Sequence, residues 1–305
     1  MFRLRACCIK SILCDMYTYT QVTCLKTSSP WKPAASWFAI VTLGIFASLA
    51  LTGCGPAEKP VAYEGYTLDW TDEFRGREID TTLWRFVAGG GGYGNNELQY
   101  YTNDPQNARI EKGLLILEAH RQKKAGWPYT SAKLETRGRA TMLYGRIDIR
   151  ARLPGGRGSW PAIWMLPEDS KAYGLGWPDS GEIDIMEHVG YEPGVVHFTV
   201  HTAAYNHRLG TQRGRPVAIA DALDEFHVYG LEWEPDGIRW YVDGVQVHEF
   251  QNEGAGWEVW PFDTPYYLIL NIACGGDWGG AQGIDNDSLP WRMEIDWVRA
   301  YRRMN

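Results

Sequence analysis

Residues 180–190 read SGEIDIMEHVG, and the parity of their side chains decides the fold. Glu182 and Asp184 alternate with Ile183 and Ile185, the period-two pattern of a β-strand with one polar and one buried face. Glu187 breaks the rhythm, because plain alternation from Asp184 turns its carboxylate into the core. A carboxylate buried there without a partner is costly. A one-residue β-bulge at Ile185 or Met186 removes the conflict, since every later side chain then changes face. All three acids then line one surface. The bland alternatives are a solvent-facing acidic strand or a calcium site. Like charges crowded on one strand repel, and calcium draws more naturally on a loop with carbonyl ligands.

The rest of the chain agrees with a strand at 182–188. From about Tyr63 onward, short β-rich runs are bounded by Gly, Pro, Asn and Asp: 113–121, 144–153, 196–203, 226–234, 238–250, 266–273 and 293–302. Asp243-Gly244 between RWYV and VQVHEF is the signal of a two-residue hairpin turn. No stretch of a dozen residues has helical period, and only a short turn is expected near 219–226. The predicted fold is all-β: a two-sheet antiparallel sandwich of jelly-roll type with a concave cleft, formed by one domain over 65–305.

The N-terminus reads as an address. Lys26 and Lys32 precede the uncharged apolar run Trp37–Leu51, which is short for a membrane span and suits a secretory signal. The LTGC that follows resembles a bacterial lipobox, which implies cleavage before Cys54 and lipidation of its thiol. The expected organisation is a signal region at 1–53 and a lipidated tether at 54–64. It makes an exported protein held on a membrane face by Cys54. Residues 1–31, with Cys7, Cys8, Cys14 and Cys24, are unlike the start of a signal, so translation is expected to begin further downstream. The mature chain then holds only Cys54 and Cys274, which leaves no disulfide inside the domain. Cys274 reads as a small buried apolar residue.

Composition narrows the partners. A net charge of −7 argues against nucleic acid, which calls for a basic groove. The chain carries 15 Trp and 17 Tyr, either as filling for a large β core or as walls of a groove for flat hydroxylated ligands such as sugars. The acid strand points the same way. With the bulge, Glu182 and Glu187 stand two strand positions either side of Asp184, roughly 13 Å apart at Cα. Side chains leaning together over a curved strand close that to about 5 Å, the carboxyl separation of a retaining glycosidase.

GEIDIMEHVG resembles the active-site strand of glycoside hydrolase family 16 in its E-x-D-x-x-E form. GYGNNELQYYT, YGRIDIRARLPGGRGSWPAIWMLP, TVHTAAYNH, FHVYGLEWEPDGIRWYVDG and NIACGGDWGG resemble the laminarinase branch of that family, so the likeness extends over nearly all of 66–302. Two positions depart from the group: Cys274, and Phe198 where Gly is common, which would reshape the cleft near His201. The resemblance implies a retaining endo-β-1,3-glucanase with Glu182 as nucleophile and Glu187 as general acid/base. Asp184 between them would bond the nucleophile, and crowding would keep Glu187 protonated.

Trp160 and Trp164 share a face and are expected in the cleft, with Trp177 and Trp278 as walls, His201 beside the nucleophile, and Asn95 bonding sugar hydroxyls. Catalysis needs no cofactor. The resemblance also implies a structural Ca²⁺ on the far side, held by Asp296 with the backbone carbonyls of Glu73 and Gly113. The expected partners are a β-glucan polysaccharide and, through Cys54, a membrane; the protein is expected to be a monomer. The alternatives are the same chemistry on mixed-linkage glucan or an algal galactan, and a non-catalytic glucan-binding protein, which would typically lack the acids.

Overall fold

The computed structural model describes residues 59–171 and 176–304. The signal region and Cys54 lie outside the described residues. Among the described residues, eighteen strands follow in chain order. The first nine are β1 (Tyr66–Asp72), β2 (Arg85–Phe86), β3 (Gln99–Tyr101), β4 (Ala108–Glu111), β5 (Leu114–Ala119), β6 (Tyr129–Ser131), β7 (Lys133–Glu135), β8 (Thr141–Met142) and β9 (Gly145–Arg152). The rest are β10 (Ser159–Pro167), β11 (Glu182–His188), β12 (Val195–His201), β13 (Arg213–Ala218), β14 (His227–Glu234), β15 (Gly237–Val242), β16 (Val245–Gln251), β17 (Tyr266–Cys274) and β18 (Trp291–Arg303). Among the described residues there is no α-helix, and 220–224 is a turn.

Two antiparallel sheets face each other. The outer sheet runs β16-β15-β14-β9-β18-β5-β4 with β1 on β18, and the cleft sheet runs β13-β12-β11-β10-β17-β7-β2 with β8 on β17. Alternation along each strand fills the space between them. Ile163, Met165, Ile183, Leu268, Leu270 and Ile272 of the cleft sheet join Ile147, Ile149, Leu231, Trp233 and Ile295 of the outer sheet in one buried cluster. Each such side chain contributes about 1.5–3 kcal/mol by leaving water. Cys274 is a free, fully buried thiol in this cluster. Phe198 belongs there too. It does not reshape the cleft, because its neighbours His197 and Thr199 hold the cleft face and parity sends it inward.

Local chemistry sets the turns. Asp243 and Gly244 have φ of 50° and 78°, the left-handed pair that a type I′ hairpin requires between β15 and β16. Tyr63, within the segment read as a tether, is docked on β9. Its hydroxyl donates to Asp148 at 2.8 Å, and its ring receives the Arg146 guanidinium at 4.0 Å.

The bulge is present in β11. Against β12, Asp184 pairs with Thr199 and Glu187 with His197, so Ile185 and Met186 together oppose Phe198. Against β10, Met186 pairs with Ile163 and Asp184 with Trp164, which makes Ile185 the inserted residue. Both Ile185 and Met186 are fully buried. The other sheet closes the gap in the hydrogen bonding: Trp240 of β15 donates its indole N–H to the Asp184 carbonyl at 2.8 Å.

Candidate active site

The three acids meet over the concave face of the cleft sheet. The cleft has two lobes of about 270 and 520 Å³, and Glu182 and Glu187 line both. Gly181 sets the entry to the strand. It has a φ of +83°, and a Cβ there would stand 2.2 Å from the Tyr266 hydroxyl. That hydroxyl donates to the Ser180 carbonyl at 2.8 Å, so strand β17 anchors the turn that delivers Glu182.

Burial raises the pKa of all three carboxyls. Mutual repulsion adds to it for Asp184 and Glu187. Crowding, expected to be the main cause, is the smaller one: desolvation comes first. The opposing influences separate the two glutamates. Trp177, Asp184 and the Lys133 ammonium draw Glu182 back toward its ionised form. Glu187 has only the Trp160 indole, which donates to its Oε1 at 3.0 Å. The arrangement therefore favours an ionised Glu182 beside a protonated Glu187, the division of labour of a nucleophile and an acid.

The expected aromatic residues converge on the same place. Trp160, Trp164 and Trp177 line the first lobe with Asn95, and Trp278 and His201 line the second. Trp164 is held by its N–H to Asn271 at 2.7 Å, and Trp278 meets Trp160 edge-on at 5.3 Å. Asn95 accepts the Asp277 backbone N–H at 2.8 Å, tying the glycine-rich loop to the loop that carries Trp278. His201 places Nε2 3.4 Å from Asp184 Oδ2 and 4.0 Å from Glu182 Oε1. Burial pushes its imidazole down to about 3, so it is neutral near pH 7.

Several site residues escaped the sequence reading. Lys133 of β7 is buried beneath the cleft, with its ammonium 4.7 Å from the Trp164 ring. Glu97 is buried beside it and accepts from Gln99 at 2.5 Å. The alternation Glu97, Gln99, Tyr101 in NELQYY carried a signal of a polar face turned inward. Lys133 carried none, because a lysine between apolar residues reads as solvated. His207 and Arg208 hang over the cleft from the β12–β13 loop, where the Arg208 guanidinium lies 4.5 Å from the Trp177 ring.

On the outer sheet, β1 reaches Asp72 opposite Val298, and the pairing of β5 with β18 ends at Leu115 opposite Ile295. The two pairings therefore stop on either side of Asp296 and Trp297, with Glu73 just past the end of β1 and Gly113 just before β5. One carboxylate between two strand ends suits a hard, oxygen-seeking cation. The Asp296 carboxylate accepts from Arg150 at 2.6 Å, so it would be shared between that ion and the guanidinium.

The likeness to known proteins is extensive. The profile of Glycosyl hydrolases family 16 matches residues 95–299. A beta-glucanase of Rhodothermus marinus is 51% identical over 268 residues, covering 85% of this chain and 92% of that protein. The crystal structure of the laminarinase from Rhodothermus marinus superposes with a TM-score of 0.77 at 52% identity, over 79% of this chain and 98% of the other. SCLam, a non-specific endo-beta-1,3(4)-glucanase, gives a TM-score of 0.74 at 43% identity, over 81% and 95% of the two chains. With a bulged acid strand in the cleft of a two-sheet sandwich and kinship over most of its length, this chain belongs to glycoside hydrolase family 16.

Proposed function

We propose that this chain is a retaining, endo-acting glycoside hydrolase that cleaves β-1,3-glucan of the laminarin type. The bulge at Ile185 carries the reading, because it brings Glu187 onto the cleft face with Glu182 and Asp184. Glu182 attacks the anomeric carbon while Glu187 protonates the departing oxygen; Glu187 then takes a proton from the water that releases the glycosyl-enzyme. Asp184 lies between them and steadies the pair. The four tryptophans offer faces on which sugar rings stack, and Asn95 and His201 offer polar contacts. The names of the related proteins support the choice of glucan. A second reading, mixed-linkage β-glucan, is favoured by the likeness to SCLam, a non-specific endo-beta-1,3(4)-glucanase.

Product anomers read by NMR in fresh laminarin digests should show retention. Parallel digests of lichenan, agarose and κ-carrageenan rank the substrates. Glu182→Ser should remove turnover while the fold and glucan binding persist. A variant keeping roughly a tenth of wild-type turnover would overturn the nucleophile assignment.

Two further readings rest on the sequence. The apolar run and LTGC support export, with lipidation of Cys54 and attachment to a membrane face. Replacing Cys54 by Ala should release the protein from the membrane fraction. The Asp296 gap supports a structural Ca²⁺. EDTA should lower the melting temperature, Ca²⁺ should restore it, and Asp296→Ala should make the protein indifferent to both.

A further inference from the structure

We propose that Glu182 Oε1, Asp184 Oδ2 and His201 Nε2 form a binding site for a divalent transition cation of the zinc class, whose occupation switches off glycan cleavage. The binding half stands on geometry alone; the inhibitory half rests on the glycosidase reading above.

One atom from each of these side chains lies within 4.8 Å of the other two, and among the described residues no other group of three His, Cys, Asp or Glu converges in this way. The imidazole nitrogen stands 3.4 Å from the Asp184 oxygen and 4.0 Å from the Glu182 oxygen. Ligands roughly 2.1 Å from a tetrahedral zinc lie roughly 3.4 Å apart, so small side-chain movements complete the coordination. A separate observation points to a cation. Asp184 is 1% exposed, and its Oδ2 is buried with no N–H or hydroxyl donor; only the Glu182 carboxyl, a ligand of the same site, bonds to Asp184. It faces the imidazole, whose Nδ1 is likewise buried without a partner.

Charge favours the same ligand. The first lobe gathers Glu97, Glu182, Asp184 and Glu187 around one buried ammonium, Lys133, and one guanidinium, Arg208. Two added positive charges offset that excess. The nitrogen ligand distinguishes this site from the calcium gap on the outer sheet, since imidazole with carboxylates suits zinc or copper better than calcium. The open cleft leaves room for a water as a further ligand. A Glu182 oxygen bound to the metal cannot attack an anomeric carbon, so metal and glucan should exclude each other.

The test titrates the full chain with ZnCl₂ at neutral pH in a calorimeter. Wild type should bind one equivalent more tightly than His201→Ala or Asp184→Asn, by at least about 10- to 100-fold, the loss that even outer-shell changes cause. Asp296→Ala should bind as wild type does. Zn²⁺ should raise the apparent KM for laminarin at constant kcat, and EDTA should reverse the effect. Because the substitutions could unfold the strand, wild-type EPR with Cu²⁺ gives an independent readout: one imidazole nitrogen among oxygen ligands. Equal zinc affinity in wild type and both variants, or a copper spectrum without nitrogen, would overturn the site. Zinc inhibition that laminarin cannot relieve would overturn the inhibitory half. If laminarin is not cleaved at all, the glucanase reading fails while the calorimetry still decides the metal site.

Discussion

At the scale of single residues, two positions hold the acids in place without touching substrate. Trp240 answers a carbonyl that the bulge removes from the sheet ladder, from the opposite sheet, at 2.8 Å. Trp240→Phe keeps an aromatic ring but shrinks it and deletes the donor, so an unpaired buried acceptor, at a cost of about 1–3 kcal/mol, adds to the cost of the space left by the smaller ring. Denaturant melts should register that loss. Turnover should fall further than stability accounts for, since Asp184 then loses its backbone anchor; a variant with unchanged midpoint would show that the bond is dispensable. Gly181 is the other position. Alanine there meets both a left-handed φ and the Tyr266 hydroxyl, so Gly181→Ala should displace Glu182 and abolish most activity even where the protein still folds. Circular dichroism and laminarin turnover, measured together, separate the two effects.

At the scale of the strand, β11 serves two faces with one extra residue. Deleting Met186 leaves E-I-D-I-E, in which plain alternation already aligns the acids. Product stereochemistry should therefore stay retaining. The deletion also removes one of two side chains buried at the bulge, with a cavity cost of about 2–5 kcal/mol, and straightens the strand under the cleft. Turnover on laminarin should drop roughly 10-fold or more. Inverted product would refute the parity argument.

His188, at the end of the same strand, is fully buried, and burial pushes its imidazole from 6.5 down to about 4. The unfolded chain binds a proton below pH 6.5 that the folded one refuses until about pH 4. The His188 contribution to stability is therefore fully present above pH 6.5 and declines through that window, by about 3 kcal/mol at its lower end. His188→Gln should flatten the fall of the melting temperature between pH 6.5 and 4. An equally steep fall in the variant would assign the acid limb to other groups.

At the scale of the whole molecule, the outer sheet is a field of ion pairs. Arg109 and Arg292 share Glu118, and Arg152 with Arg292 shares Glu294, so the charges of β4, β5, β18 and β9 link across the sheet. Glu118 is the hub, its side chain 10% exposed. Isolated surface pairs contribute little, but networks hold side chains already ordered by their neighbours. Glu118→Gln should lower the melting temperature by about 2–4 °C, the equivalent of roughly 1 kcal/mol in a domain of this size. The difference should narrow at about 1 M salt, where the Debye length falls to about 3 Å. A salt-independent difference would mean that packing rather than charge is lost.

The fold class was legible from alternation, turn residues and the Asp243-Gly244 hairpin, because those features depend on neighbours in the chain. The bulge was legible for the same reason: parity of Glu182, Asp184 and Glu187 is a local count. The short strands β2, β3, β6 and β8 left no such mark, having two or three residues each, too few for a period to show. Nor could parity along one strand reveal that Phe198 faces the core while its neighbours line the cleft, since that needs the identity of the opposing sheet. The electrostatics belonged to the tertiary structure alone. Lys133 and Glu182 lie 49 positions apart in sequence, and the Trp240 donor and the Asp184 carbonyl lie 56 apart. The first pair meets because β7 and β11 lie in one sheet under the cleft, and the second because the two sheets pack face to face; low dielectric and lost water there set which carboxylate keeps its proton. A single chain order cannot encode that in any one stretch.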